Sequence, residues 1–155
     1  MPRPRSFRPA VVLFVWLLGS SGCALATGPW VELDGKRYQV ELADTEEERA
    51  RGLMFRDAMA TDHGMLFVHD SEAPQAYWMK NTRIPLDILY FDNRLRLVSQ
   101  QRDVPACDLG DGCPIYPSTA PARYVLELNA GQAAALGLNN GDTLELGGGL
   151  TPATP

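Results

Sequence analysis

Two carboxylates stand inside apolar runs of this chain, Asp87 in Leu86-Asp87-Ile88 and Glu127 in Leu126-Glu127-Leu128. A buried carboxylate is costly unless it is paired, so each marks either a structural ion pair or a site. Arg51, Arg56 and Arg83 are the cations in reach of Asp87 by sequence, and a structural pair is the simpler account of that residue. If Asp87 and Glu127 instead face one cavity, general acid/base chemistry or cation binding follows.

A second cluster is Trp78-Met79-Lys80-Asn81-Thr82, a large aromatic and a thioether beside an amide and a hydroxyl where a strand ends. Strand alternation puts Trp78 and Lys80 on one face and Met79 and Asn81 on the other. Asn81 and Thr82 either tie down the turn through side-chain to backbone bonds or, with Trp78, form the floor of a pocket. The candidate ligand-binding set is therefore Arg56, Trp78, Asn81, Thr82, Asp87 and Glu127, with no residue assigned to catalysis.

His63 and His69, with Met54, Met65 and Met79, are the ligand types that suit a soft metal such as copper. Their spacing, H-x-M-x-x-x-H within it, fits no fixed site, and the methionines lie in apolar runs where core packing explains them. No metal or cofactor is assigned. A G-x-S-x-G elbow, a phosphate-binding glycine loop and a zinc-protease helix are all missing from the sequence, so hydrolase chemistry has no positive support.

At 155 residues and 45% apolar content, the chain suits one domain with a real core. Its start reads as an export signal: Arg3, Arg5 and Arg8, an apolar run from Ala10 to Leu18, then small residues. That run is about half of the ~20 residues a spanning helix needs. Cleavage after Ala26 would release a protein beginning at Thr27. The alternative, a lipobox-like Ser20-Ser21-Gly22-Cys23, would end the signal at residue 22 and lipidate Cys23, the one membrane link expected. Free release into the periplasm is favoured, because the lipid reading leaves a short tether. Without the three leader arginines, 11 basic side chains face 19 acidic ones, a charge of −8 that repels phosphate backbones and argues against nucleic acid as a partner. In an oxidising compartment, the spacing of Cys107 and Cys113 favours a local disulfide.

The elements that must position these residues are legible in part. Asp34-Gly35 suits a tight type I′ turn between strands 30–33 and 36–42. Thr45 and Glu48 form a capping box for a two-turn helix that Gly52 stops. Residues 65–68 read as a strand buried on both faces, 76–79 as an extended segment, and 86–91 with 95–100 as a hairpin. A long loop spans 103–121, a strand 124–128, a short helix 131–136 and a last strand 143–146. The globular domain is thus 30–147, with a disordered tail at 148–155. Strands divided by turns, with only two short helices, predict a mainly β fold, an antiparallel sandwich or partial barrel.

Taken together, R-G-L-M-F-R (Arg51 to Arg56), G-M-L-F-V (Gly64 to Val68), W-M-K-N-T (Trp78 to Thr82), I-P-L-D-I (Ile84 to Ile88) and Y-V-L-E-L-N-A-G (Tyr124 to Gly131) resemble the bacterial and archaeal family called domain of unknown function 192. The resemblance covers about Val31 to Leu146. It implies one mainly β domain, often behind a signal peptide, and supplies no activity. The reading that results is a non-enzymatic envelope module that binds a small ligand, a glycan or a partner protein's segment. An enzyme using Asp87 with Glu127, and a periplasmic copper-binding protein, are the alternatives.

Overall fold

A computed structural model of the chain describes residues 28–152. The expected signal segment and Cys23 lie outside the described residues. Among the described residues, no helix is long and apolar enough to cross a membrane.

Among the described residues, nine strands and two short α-helices follow one another as β1 (Trp30–Leu33), β2 (Lys36–Ala43), α1 (Glu46–Arg51), β3 (His63–Ala73), β4 (Ala76–Trp78), β5 (Leu86–Phe91), β6 (Leu97–Val104), β7 (Ile115–Pro117), β8 (Ala122–Asn129), α2 (Gln132–Ala135) and β9 (Glu145–Gly147), with a single 3-10 turn at Gly110–Gly112 between β6 and β7. Seven strands form one sheet in the order β6-β5-β8-β3-β2-β1-β9, and β4 pairs with β7 in a separate ribbon. Just before β9, the Asp142 carbonyl accepts from the Leu97 amide and the Leu144 amide donates to the Leu95 carbonyl, both at 2.8 Å. These bonds link the segments that precede β6 and β9 at one end of a sheet that is otherwise open and mixed.

Local chemistry explains most of the turns. Asp34 and Gly35 both have positive φ, 47° and 74°, as a type I′ hairpin requires. Thr45 and Glu48 cap α1 reciprocally, with Glu46, Glu47 and Glu48 in its first turn. The sheet departs from a purely antiparallel one in a single pair: β2 and β3 run parallel, Gln39 opposite His63 through Ala43 opposite Phe67. Parallel neighbours need a long crossover, and residues 44–62, carrying α1, supply it.

Both faces of the central strands are covered, which is why all six positions of β5 are buried. One face holds Leu33, Tyr38, Leu66, Leu89, Phe91, Leu126 and Leu128. The other holds Leu53, Met65, Phe67, Met79, Ile88, Tyr90 and Val125, and is roofed by the α1 crossover and the β4-β7 ribbon. β7 lies inside what the sequence presents as an irregular loop. Leu150, expected in the disordered tail, packs against the first core face.

Candidate functional site

Alternation along β8 sends Leu126 and Leu128 to the first face and Val125 and Glu127 to the second. In register, Glu127 lies between Met65 of β3 and Ile88 of β5. Glu127 is only 4% exposed, and among the described residues no hydrogen bond reaches its carboxyl. Burial alone pushes its pKa up to about 8, so the group is largely a neutral acid at pH 7.

The carboxyl faces a cavity of about 30 Å³ whose walls include Arg49, Arg51, Met54, Tyr77, Trp78 and Thr82. That is room for about two water-sized atoms. The walls are set by specific local devices. Gly52 ends α1 at φ 45°, and a Cβ there would lie 3.3 Å from the Phe67 ring, so the turn can sit down over β3. The Phe55 amide donates to the Asn81 carbonyl at 2.8 Å, which ties the 52–56 turn to the 78–82 turn. Asn81, itself at φ 55°, also directs its amide to the Met54 sulfur at 3.9 Å.

On the opposite wall, the Lys80 ammonium stands 4.8 Å from the centre of the Trp78 ring and pairs with Asp111. Asp111 sits within the loop closed by the Cys107–Cys113 disulfide, and the Cys107 amide donates to the Thr82 carbonyl at 3.0 Å. The staple therefore holds the site's rim as well as its own loop. Tyr77 packs edge-on to Phe67 and Tyr90, and its hydroxyl shares a 3.0 Å hydrogen bond with His69 Nε2. Burial raises the pKa of both tyrosines far above neutrality, while burial and then the charge of Arg49 lower that of His69.

A separate surface depression of about 510 Å³, bordered by Leu42, Phe55 and Met65, adjoins the cavity and shares the walls Arg51, Gly52 and Met54 with it. Arg56 lies there, in an ion pair with Glu41 that lowers the carboxyl's pKa and raises that of the guanidinium.

Of the residues proposed from sequence, Trp78, Thr82 and Glu127 line the same cavity, and Arg56 borders the next depression. Trp78 forms the rim and not the floor: it is 41% exposed, and Met79 turns inward instead. Asn81 supports the wall mainly through its backbone. Asp87 is elsewhere. Register sets Asp87 beside Leu128 and Ile88 beside Glu127, so the two carboxyls point to opposite faces of the sheet. The paired-carboxylate enzyme is corrected on that ground. The expected arginine partner of Asp87 is corrected too: its Oδ1 accepts from the Asp103 amide at 2.9 Å and its Oδ2 from the Ala133 amide at 2.7 Å.

The copper set does not assemble either. His63 and His69 are six positions apart on one strand, roughly 20 Å at the rise of an extended chain. His63 bonds Asp62 and His69 bonds Tyr77. Among the described residues, no three His, Cys, Asp or Glu side chains converge as a metal site. The sequence reading missed Tyr77 and the siting of Arg51 at the cavity; period-two alternation from the inward Met79 was the signal for Tyr77.

A family model, DUF192, described as uncharacterized ACR, matches residues 30–146. A 1.22 Å crystal structure of a protein of unknown function from Novosphingobium aromaticivorans DSM 12444 is similar, with a TM-score of 0.68 and 34% identity over 76% of this chain and 82% of that one. A Sinorhizobium meliloti 1021 protein described as a candidate transcription regulator, solved at 1.55 Å, has the same TM-score of 0.68 and 38% identity over 77% of this chain and 92% of that one. No curated protein matches the sequence.

Proposed function

This chain belongs to the DUF192 family, and from its own site we propose that it is an exported, non-enzymatic module that seats the polar end of a small ligand on Glu127. One observation carries this reading: a buried carboxyl with no partner among the described residues faces a cavity whose rim, Trp78 and Arg51, is open to solvent. A group that only held the fold together would be satisfied, as Asp87 is. The regulatory role in the description of the Sinorhizobium protein is not carried over, because the acidic balance of this chain opposes a phosphate backbone.

Native mass spectrometry of the protein purified from its own envelope tests the reading. A non-covalent mass excess is expected on the wild type and lost in Trp78→Ala, whose melting temperature should stay within a few degrees because the ring lies on the rim. Retention of the same mass by Trp78→Ala, or a ligand-free wild type, contradicts it. The same spectra report export, as a chain beginning at Thr27 or one carrying lipid on Cys23.

A further inference from the structure

We propose that the group seated in the Glu127 cavity is the carboxylate of a small monocarboxylic acid whose apolar body lies in the adjoining depression, with Arg51 as its counter-ion. This rests on the reading of the cavity as a ligand site and names the ligand's chemistry.

Size is the first reason. A cavity of about 30 Å³ holds about two water-sized atoms, which matches the two oxygens of a carboxylate. A phosphate head brings more oxygens than that.

The free hydrogen-bonding capacity points the same way. A neutral Glu127 carboxyl offers an O–H donor. Arg51 lines both the cavity and the depression, and among the described residues its guanidinium has neither an ion pair nor a hydrogen bond. The other cations nearby are engaged: Arg49 donates to the Asp44 and Val68 carbonyls, Arg56 pairs with Glu41, Lys80 with Asp111 and Arg83 with Asp57. A ligand that accepts from an acid O–H and from a guanidinium at once is an oxyanion; carboxylate and phosphate both pair bidentately with arginine, and the size of the cavity selects the carboxylate. An ammonium group would instead meet Arg49, Arg51 and Lys80.

The depression selects the rest of the molecule. Its apolar wall is Leu42, Met54, Phe55 and Met65, while Glu41 and Glu48 stand on its border. Arg56 on that border is already paired with Glu41, so a second negative charge on the ligand would find no free cation there besides Arg51 and would meet Glu48; the body is therefore uncharged, with its apolar part against Leu42, Met54, Phe55 and Met65.

Such a complex shares one proton between two carboxyl groups, and the groups facing Glu127 decide when that proton is present. They are Tyr77 on β4, Lys80 in the turn after β4, Tyr90 on β5, and Arg49 and Arg51 on α1, with His69 behind Tyr77. Burial keeps both tyrosines protonated at neutral pH, and burial and then the charge of Arg49 hold His69 below its ordinary value. Glu127, pushed up to about 8, is then the group that titrates between pH 6 and 9. Affinity for the carboxylate is full below that value and falls roughly tenfold per pH unit above it.

The test is an amide-resolved NMR titration of the isotope-labelled protein, expressed as the full chain and purified from the periplasm. Hexanoate, 1-hexanol, hexylamine and hexyl phosphate are the probes at pH 6, and hexanoate is repeated at pH 9. The expected result is shifts confined to residues 50–56, 78–82 and 127. Hexanoate should bind roughly tenfold or more tightly than the other three, as a charge-assisted bidentate contact implies. Arg51→Gln, on the exposed end of α1, should lose that preference, and Glu127→Gln should lose the pH dependence. Tighter binding of N-acetylleucine than of hexanoate assigns the same carboxylate to a peptide C-terminus. Preference for hexanol, hexylamine or hexyl phosphate at these residues overturns the carboxylate while leaving a binding site. Absence of any shift there with hexanoate also overturns it, and the native mass measurement then decides separately whether a ligand is bound at all.

Discussion

Asp87 and Glu127 are both buried in the same sheet, one on each face, and the sheet treats them in opposite ways. Asp87 is fully enclosed, and each of its oxygens takes a backbone amide. One amide belongs to Asp103, which sits at φ 51° where β6 slips register against β5. The other lies in the first turn of α2, where an anion is favoured. Glu127 has no such partners among the described residues and opens onto a small cavity. Asp87 stitches three elements together; Glu127 spends none of its bonding capacity on the described residues. Burial alone therefore does not distinguish the two acids; the partners each has or lacks, and the cavity beside Glu127, do.

The largest expected effect separates the two by pH. The folded-state pKa of Glu127 is raised from 4.5 to about 8, so its favourable contribution is complete below 4.5 and is lost as pH rises through 8. Glu127→Gln removes the ionisation, and its stability relative to the wild type should climb across that window. At about 1.4 kcal/mol per pH unit, the gain reaches at most about 5 kcal/mol above pH 8. Denaturant unfolding at pH 4, 6 and 9 checks it; a constant difference would show that Glu127 is satisfied after all.

Asp87→Ala should act in the other direction. It orphans two backbone amides at roughly 1–3 kcal/mol each, so a loss of about 3–4 kcal/mol is expected at pH 7. Thermal unfolding measures it, and a loss under about 1 kcal/mol would remove the structural half of the comparison. The smallest effect concerns the rim. Replacing Cys107 and Cys113 by serine should cost about 2–3 kcal/mol at most, the chain-entropy value for so short a loop. Its more specific consequence is faster amide exchange in β4 and β7, because the stapled loop carries Asp111 to Lys80 and leads into β7. Unchanged exchange there would detach the disulfide from the site.

How much of this was readable in the sequence depended on distance along the chain. The Asp34-Gly35 turn, the Thr45-Glu48 box, the strand at Leu86 to Phe91 and the Cys107–Cys113 bond all follow from neighbours within a few residues, and all are present. The parallel pairing of β2 with β3 and the three-residue β7, which follows Pro114 and ends on Pro117, are settled by partners far away in sequence, and local pattern gave no hint of them. The same holds for the site. Both carboxylates stood out as acids in apolar strands, but their separation onto opposite faces depends on the register of β5 against β8. A slip of one residue would have exchanged the faces.

The most direct test is the carboxyl carbon resonance of Glu127 followed by NMR across pH 3 to 10 in the ligand-free protein. A buried acid that bonds no protein group and faces only the cavity titrates with a midpoint near 8 and shows a protonated carboxyl at pH 7. A midpoint at or below the ordinary 4.5 would mean that Glu127 is ionised and held by a cation, and the cavity would then have no free donor to offer a ligand.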